Sequence, residues 1–150
     1  MSHFKTTRKG IVVTFTPAEQ AFLGDVLPLL AGIGETGIDP AATRLNVPVY
    51  LDDQHASDEW WRLMGADLGA ARLADRSVFQ RVVGEETKTL DEADANAFLR
   101  VLNEARLVLG ARMGVEVEDD HDNLPDDSRQ VLDYLGWVQE ELTLELSRSL

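Results

Sequence analysis

The chain has 150 residues, 44% hydrophobic and 27% charged, which is the size and composition of one globular domain with one core. Lys and Arg number 14 against 27 Asp and Glu, a net charge of −13, so direct nucleic-acid binding is disfavoured and a basic protein surface is the better electrostatic match. Cysteine is absent, which excludes thiolate nucleophiles, disulfides and cysteine metal sites.

No apolar run approaches the ~20 residues of a membrane span. The start, MSHFKTTRKG, has no apolar segment behind its positive charges and does not read as a secretory signal. No membrane association is expected, and a cytoplasmic location is.

The segment FKTTRKGIVVTF, residues 4 to 15, places two short extended runs around Arg8, Lys9 and Gly10. It predicts a β-hairpin. A lone hairpin is marginal in water, so this one must lie on a helical body. TPAE follows at 16 to 19. Thr16 caps a helix, Pro17 takes its first position and Glu19 completes a capping box. Phe22, Val26, Leu29, Leu30 and Ile33 are available for burial. Pro28 lacks a donor and crowds the carbonyl of Gly24, which predicts a kink.

Residues 32 to 57 have no sustained period. They read as a packed surface excursion with a helical turn near Ala41 to Leu45, anchored by Val47, Val49, Tyr50 and Leu51. Ser57 caps a helix to Val83, broken near Gly65 or Asp75. The adjacent Trp60 and Trp61 point to different faces, one to the core and one half-exposed. Thr89 or Asp91 opens the next helix, which runs to Met113 and ends at Gly114. Residues 116 to 127, EVEDDHDNLPDD, form an acidic connection. Asp127 caps a last helix with Gln130 three residues on. The fold class is mainly α: a helical bundle with a small N-terminal β-hairpin, in a single domain over residues 1–150.

Within FLRVLNEARLVLGARMG, residues 98 to 114, helical spacing puts Ala95, Phe98, Leu99, Leu102, Ala105, Leu109 and Met113 on one face. Arg106 falls in the middle of it. Ala97, Val101 and Val108 form a second apolar strip, so this helix is central, with neighbours on both sides. Arg106 is therefore expected in a packed interface, where a guanidinium needs a partner. On the last helix Val131, Leu132, Leu135, Val138, Leu142 and Leu146 make the inner stripe, flanked by Glu141 and Glu145. Either carboxylate is a candidate partner, with Asp67 and Glu59 as rivals. The favoured reading is a structural ion pair. The other is an anion-binding arginine with Asn103 beside it. Gly110 and Gly136 sit mid-helix, where glycine costs ~1 kcal/mol against alanine, and are read as sites of close helix approach. Trp137 and Leu144 lie off the inner stripe. Either the hairpin or the long loop covers them, or they form an exposed patch for a partner or a homodimer.

No catalytic, cofactor-binding or metal site is read. His3, His55 and His121 lack ligand spacing. Adjacent acids such as Asp52-Asp53 make no acid–base dyad by themselves. The acidic run lacks the calcium-loop pattern, and there is no phosphate-cradling glycine loop.

LNEARLVLGARMGVEVEDD at 102 to 120 and YLGWVQEEL at 134 to 142 resemble the C-terminal half of an actinobacterial family, the AosR-type oxidative-stress transcriptional regulators, long catalogued as a domain of unknown function. The patterns LNxxRLxLGxRxG and YxGWxQ carry the likeness, which covers most of the chain and least of residues 32 to 57. The resemblance implies a regulator of transcription. It points to Asn103, Arg106, Gly110 and Arg112 on one helix and to Gly136, Trp137 and Gln139 on the other, as the framework of a helix pair and not as catalytic groups. One departure bears on sensing: a redox regulator ordinarily uses cysteine, and Met1, Met64 and Met113 are weak substitutes. The function expected is non-enzymatic regulation through protein–protein interaction, with no cofactor and with a transcription component such as a sigma factor as partner. The alternatives are direct DNA binding, which needs Arg72, Arg76, Arg81, Arg100 or Arg112 to converge on one face, and a small-anion-binding accessory role in metabolism.

Overall fold

The structure, a computed structural model, describes residues 2–33, 39–45, 52–85, 87–115 and 118–149. Strands β1 (Phe4–Thr7) and β2 (Gly10–Thr14) form the expected antiparallel hairpin, with Phe4 opposite Val13 and Thr7 opposite Gly10. A third strand, β3 (Thr87–Leu90), adds to the free edge of β2 with Leu90 opposite Ile11. Sequence reading missed it because its four residues, TKTL, carry a single buried apolar side chain, Leu90, too short a run to show alternation.

The capping box at Thr16 is present. Thr16 Oγ1 accepts from the Glu19 N–H at 3.2 Å, and Glu19 Oε1 accepts from the Thr16 N–H at 3.1 Å. It opens α1 (Pro17–Gly24). The chain breaks at Asp25, and α2 (Val26–Ala31) follows. Pro28 offers no N–H to the Gly24 carbonyl, so the expected kink is a full break. The helical turn near Ala41 is α3 (Pro40–Leu45). Val47, Val49, Tyr50 and Leu51 lie outside the described residues.

Helix α4 (Gln54–Val83) is continuous, contrary to the expected break. Asp53, not Ser57, caps it by accepting from the Ala56 N–H at 3.0 Å. Gly65 and Gly69 ride inside the helix. Asp75 is buried and takes a two-pronged bond from Arg100, both contacts at 2.8 Å, so its carboxylate is paired and does not unwind the turn. Trp60 and Trp61 are both half-buried and meet edge to face, 5.0 Å apart; neither is fully in the core. Asp91 caps α5 (Glu92–Arg112) through the Asp94 N–H at 2.7 Å, and Gly114, at φ 83°, follows its end. The acidic connection contains α6 (Glu118–Asp122). Helix α7 (Asp126–Ser149) begins at Asp126, so Asp127 lies in its first turn and is not the cap.

The mainly helical class with an N-terminal hairpin is thus the observed one. Helix α5 is central, packed by α3, α4 and α7. Both of its apolar strips are buried, including Ala97, Phe98, Val101, Leu102, Ala105 and Val108. The Phe98 ring stacks on Phe79 at 4.6 Å and on Phe15 at 6.1 Å, which locks α5 to α4 and to the sheet. Among the described residues, no helix is long and apolar enough to cross a membrane.

Two glycines give opposite expectations. Gly10 has φ 136°, and a Cβ there would meet the Leu90 carbonyl oxygen of β3. Gly10→Ala is expected to cost more than ~1 kcal/mol. Gly69 has no neighbour within 4 Å among the described residues, so Gly69→Ala is expected to add up to ~1 kcal/mol. Urea unfolding midpoints of the two variants against the parent check both signs.

Candidate functional site

Arg106 does not enter the core. Its side chain leaves the apolar arc of α5 and reaches the rim between α5 and α7, where it is exposed. Its Nη1 donates to Gln139 Oε1 at 2.9 Å. The arm packs while the head reaches water, so the buried ion pair expected from periodicity does not form. Three of the expected carboxylates are engaged elsewhere. Glu141 contacts His3, Glu145 binds Thr6 and Arg148, and Glu59 binds Arg62.

Gly136 explains how the guanidinium is seated. A Cβ at that position would lie 3.4 Å from Arg106 Cζ and Nη2 and 3.6 Å from Nε. The bare backbone of α7 thus serves as a floor for the guanidinium. The nearest approach at this glycine is by the Arg106 side chain. Gly110 is buried, and a Cβ there would make only ordinary contact with Val115 at 3.8 Å, so it marks no close helix approach either.

Arg106, Gly136, Trp137, Gln139, Glu140 and Leu144 line a surface groove of about 600 Å³. Trp137 is 46% exposed and Leu144 54%. Neither the hairpin nor the described part of the long loop covers them. Asn103 is exposed but lines a separate depression, between α4 and α5, with Arg72, Asp75, Arg100 and Glu104. Gln139 borders both hollows, so Asn103 and Arg106 stand on its two sides and do not form one site.

The chain belongs to the DUF2017 family. The family model, described as a domain of unknown function, matches residues 1–146. Among curated proteins and among solved structures nothing matches. In this DUF2017 chain, Arg106, Gly136, Trp137 and Gln139, drawn from two motifs on two helices, meet in one groove. Asn103, Gly110 and Arg112 of the same motifs lie away from it, Arg112 reaching the Gly32 carbonyl and Asp39.

A second cluster escaped sequence reading. His3 is buried between two carboxylates: Nδ1 lies 2.6 Å from Glu141 Oε2, and Nε2 lies 2.5 Å from Glu19 Oε2. The Tyr134 hydroxyl donates to the same Glu19 oxygen at 2.7 Å. These contacts tie the start of the chain to α1 and α7 across sequence separations of 16, 138 and 115, which no local pattern reveals. The His3 ring also meets the Trp137 ring at 4.9 Å, nearly edge-on. Trp137 thus contacts the buried His3 ring and also borders the groove. Next to this clamp, Thr6 Oγ1 donates to Glu145 Oε2 at 2.6 Å and holds that carboxyl below its ordinary pKa. Among the described residues, no group of His, Asp and Glu has the arrangement of a metal site.

Burial pushes the Glu19 carboxyl up, but hydrogen bonds from Tyr134, the Thr16 N–H and His3 outweigh it and hold Glu19 below the ordinary glutamate value. Burial, with the Glu19 carboxylate as acceptor, pushes Tyr134 well above the usual tyrosine range, so its hydroxyl stays a donor. A depressed folded-state value means that Glu19 stabilises the fold above the unfolded carboxylate pKa of about 4.3. That contribution is lost as pH falls through the lower, folded value. Glu19→Gln keeps an oxygen for the capping box and removes the charge. The variant is expected to be less stable than the parent at about pH 6, with the gap narrowing as pH falls below about 4.3, as read by chemical unfolding across that range.

Proposed function

We propose that this DUF2017 chain is a non-enzymatic regulatory protein of the cytoplasm that acts by binding another protein, in the manner of the AosR-type oxidative-stress regulators it resembles. Its partner is a transcription component with a basic surface, such as a sigma factor, and it docks on the outer face of α7. The observation that carries this reading is the exposure of Trp137 and Leu144 beside a groove, on a helix whose opposite face is core. Aromatic anchors next to a hollow are the usual energetic centre of a protein interface. The net charge of −13 favours encounter with a basic partner.

The distribution of arginines weighs against reading DNA directly. Arg72 and Arg76 face Glu104, Arg81 faces Asp94, Arg100 faces Asp75 and Arg112 faces Asp39. Each of these cations is committed to a carboxylate of this chain, which leaves less of its charge for phosphate. The chain has no cysteine, so a stress signal reaches it through its partner or through another chemistry than thiol oxidation.

Affinity capture of the tagged chain at moderate salt tests this. A transcription component recovered near stoichiometry, and lost when Trp137→Ala and Leu144→Ala are combined, is the expected result. Unchanged recovery by the double variant, or tight sequence-specific binding of duplex DNA by the chain alone at physiological salt, would count against it.

A further inference from the structure

Helices α4, α5 and α7 carry nine described arginines. Eight have a carboxylate within ion-pair distance: Arg62, Arg72, Arg76, Arg81, Arg100, Arg112, Arg129 and Arg148. The ninth is Arg106, whose hydrogen-bond partner among the described residues is the neutral amide of Gln139. The chain holds 27 acids to 14 Lys and Arg, so carboxylates are not scarce. Glu140 lines the same groove without reaching Arg106. The guanidinium nonetheless lies against the Gly136 backbone and donates from Nη1 to Gln139. An arginine has five donors in a planar fork; Gln139 takes one, and the others find no acceptor among the described residues. A guanidinium held by one neutral acceptor, beside two exposed apolar side chains, presents its remaining donors to an anion arriving from outside.

We propose that Arg106 is the anchor for a carboxylate on the docking partner. The groove takes an amphipathic helical segment that sets an Asp or Glu against the guanidinium and apolar side chains against Trp137 and Leu144. The proposal rests on the docking reading of this face. Trp137 and Leu144 are seven residues apart, two helical turns or about 10 Å, a separation that one helix laid along α7 spans with its own i and i+7 side chains. A carboxylate fits better than a phosphate. Asp133 and Glu140 also border the groove, and they repel a dianion more than a single carboxylate within an otherwise basic or apolar segment. A second copy of this chain is a poorer occupant, because each copy brings a charge of −13.

The test is a phage-displayed library of random peptides of about 16 residues, roughly four helical turns, panned on the full chain and on its Arg106→Glu variant. Peptides enriched on the parent are expected to share an Asp or Glu within a turn of an aromatic or aliphatic residue. Those from Arg106→Glu should carry Lys or Arg instead. Arg106→Ala should weaken the parent's peptides at least ~10-fold by fluorescence anisotropy, and should have no further effect on peptides whose acid is already an amide. Arg106 is exposed, so these variants fold, which circular dichroism verifies. Peptides that need Trp137 and Leu144 but show no acidic preference, or are indifferent to Arg106, overturn the anchor and leave the docking surface standing. No enrichment over the Trp137→Ala, Leu144→Ala variant overturns both. A dimer of the parent in sedimentation, dispersed by Leu144→Asp, gives the groove to a second copy and overturns the carboxylate partner.

Discussion

Helix α5 meets water along one thin seam. Between residues 95 and 110 only Arg100, Asn103 and Arg106 are exposed, and they step by three. Each such step turns about 300° around the helix, which equals 60° backwards. The seam therefore slides across the helix surface as it climbs. It starts beside α4, where Arg100 binds Asp75, and ends beside α7, where Arg106 binds Gln139. Most of the rest of this stretch is apolar packing, with Glu104 buried against α4, so these three side chains carry its exposed polar chemistry. The two hollows that border Gln139 lie on the two sides of this seam.

On the α4 side of the seam the buried acids are paired. Glu104 is buried and is met by Arg72 and Arg76, and Asp75 is buried and is met by Arg100. A buried carboxylate without a cation would be costly, so these pairs follow from burying α5 against a long helix that carries charge. The α7 side is different. Its polar contacts with the sheet are made by His3, Glu19, Glu141 and Tyr134 at one end, and by Thr6 and Glu145 further along. They fasten the first strand over α7 and back the Trp137 ring. What is left open lies on the outer ridge of α7, from Trp137 to Leu144.

Most of the helical framework is legible in the sequence because its signals are local. The capping box at Thr16, a distortion at Pro28, a cap at Thr89 or Asp91 and the stop at Gly114 are each written within a few residues, and both apolar strips of α5 follow from period alone. The failures have the opposite character. Strand β3 is defined by its pairing with β2, not by its own four residues. Continuity through Asp75 depends on an arginine 25 residues away. The His3 clamp spans nearly the whole chain. Arg106 was placed correctly on its helix, but periodicity fixes the direction of Cβ and not where a long flexible arm ends. Trp137 and Leu144 lie off a strongly apolar stripe, which places them away from the core but leaves open whether the hairpin or the long loop covers them; the structure shows both exposed.

The seat of Arg106 sets a guanidinium against bare helix backbone. Alanine is the better helix former, and replacing Gly136 with it would add a methyl group 3.4 Å from the guanidinium carbon. The helix gives up about 1 kcal/mol by keeping glycine there. The atoms nearest to such a methyl group all belong to the Arg106 guanidinium, at the near edge of ordinary contact. Gly136 therefore eases the approach of the arginine without being required by it. The head lies against helix backbone with Gln139 holding one nitrogen, which fits the anchoring role proposed for it. Trp137, met by the His3 ring and 46% exposed, borders the same groove from the neighbouring helix.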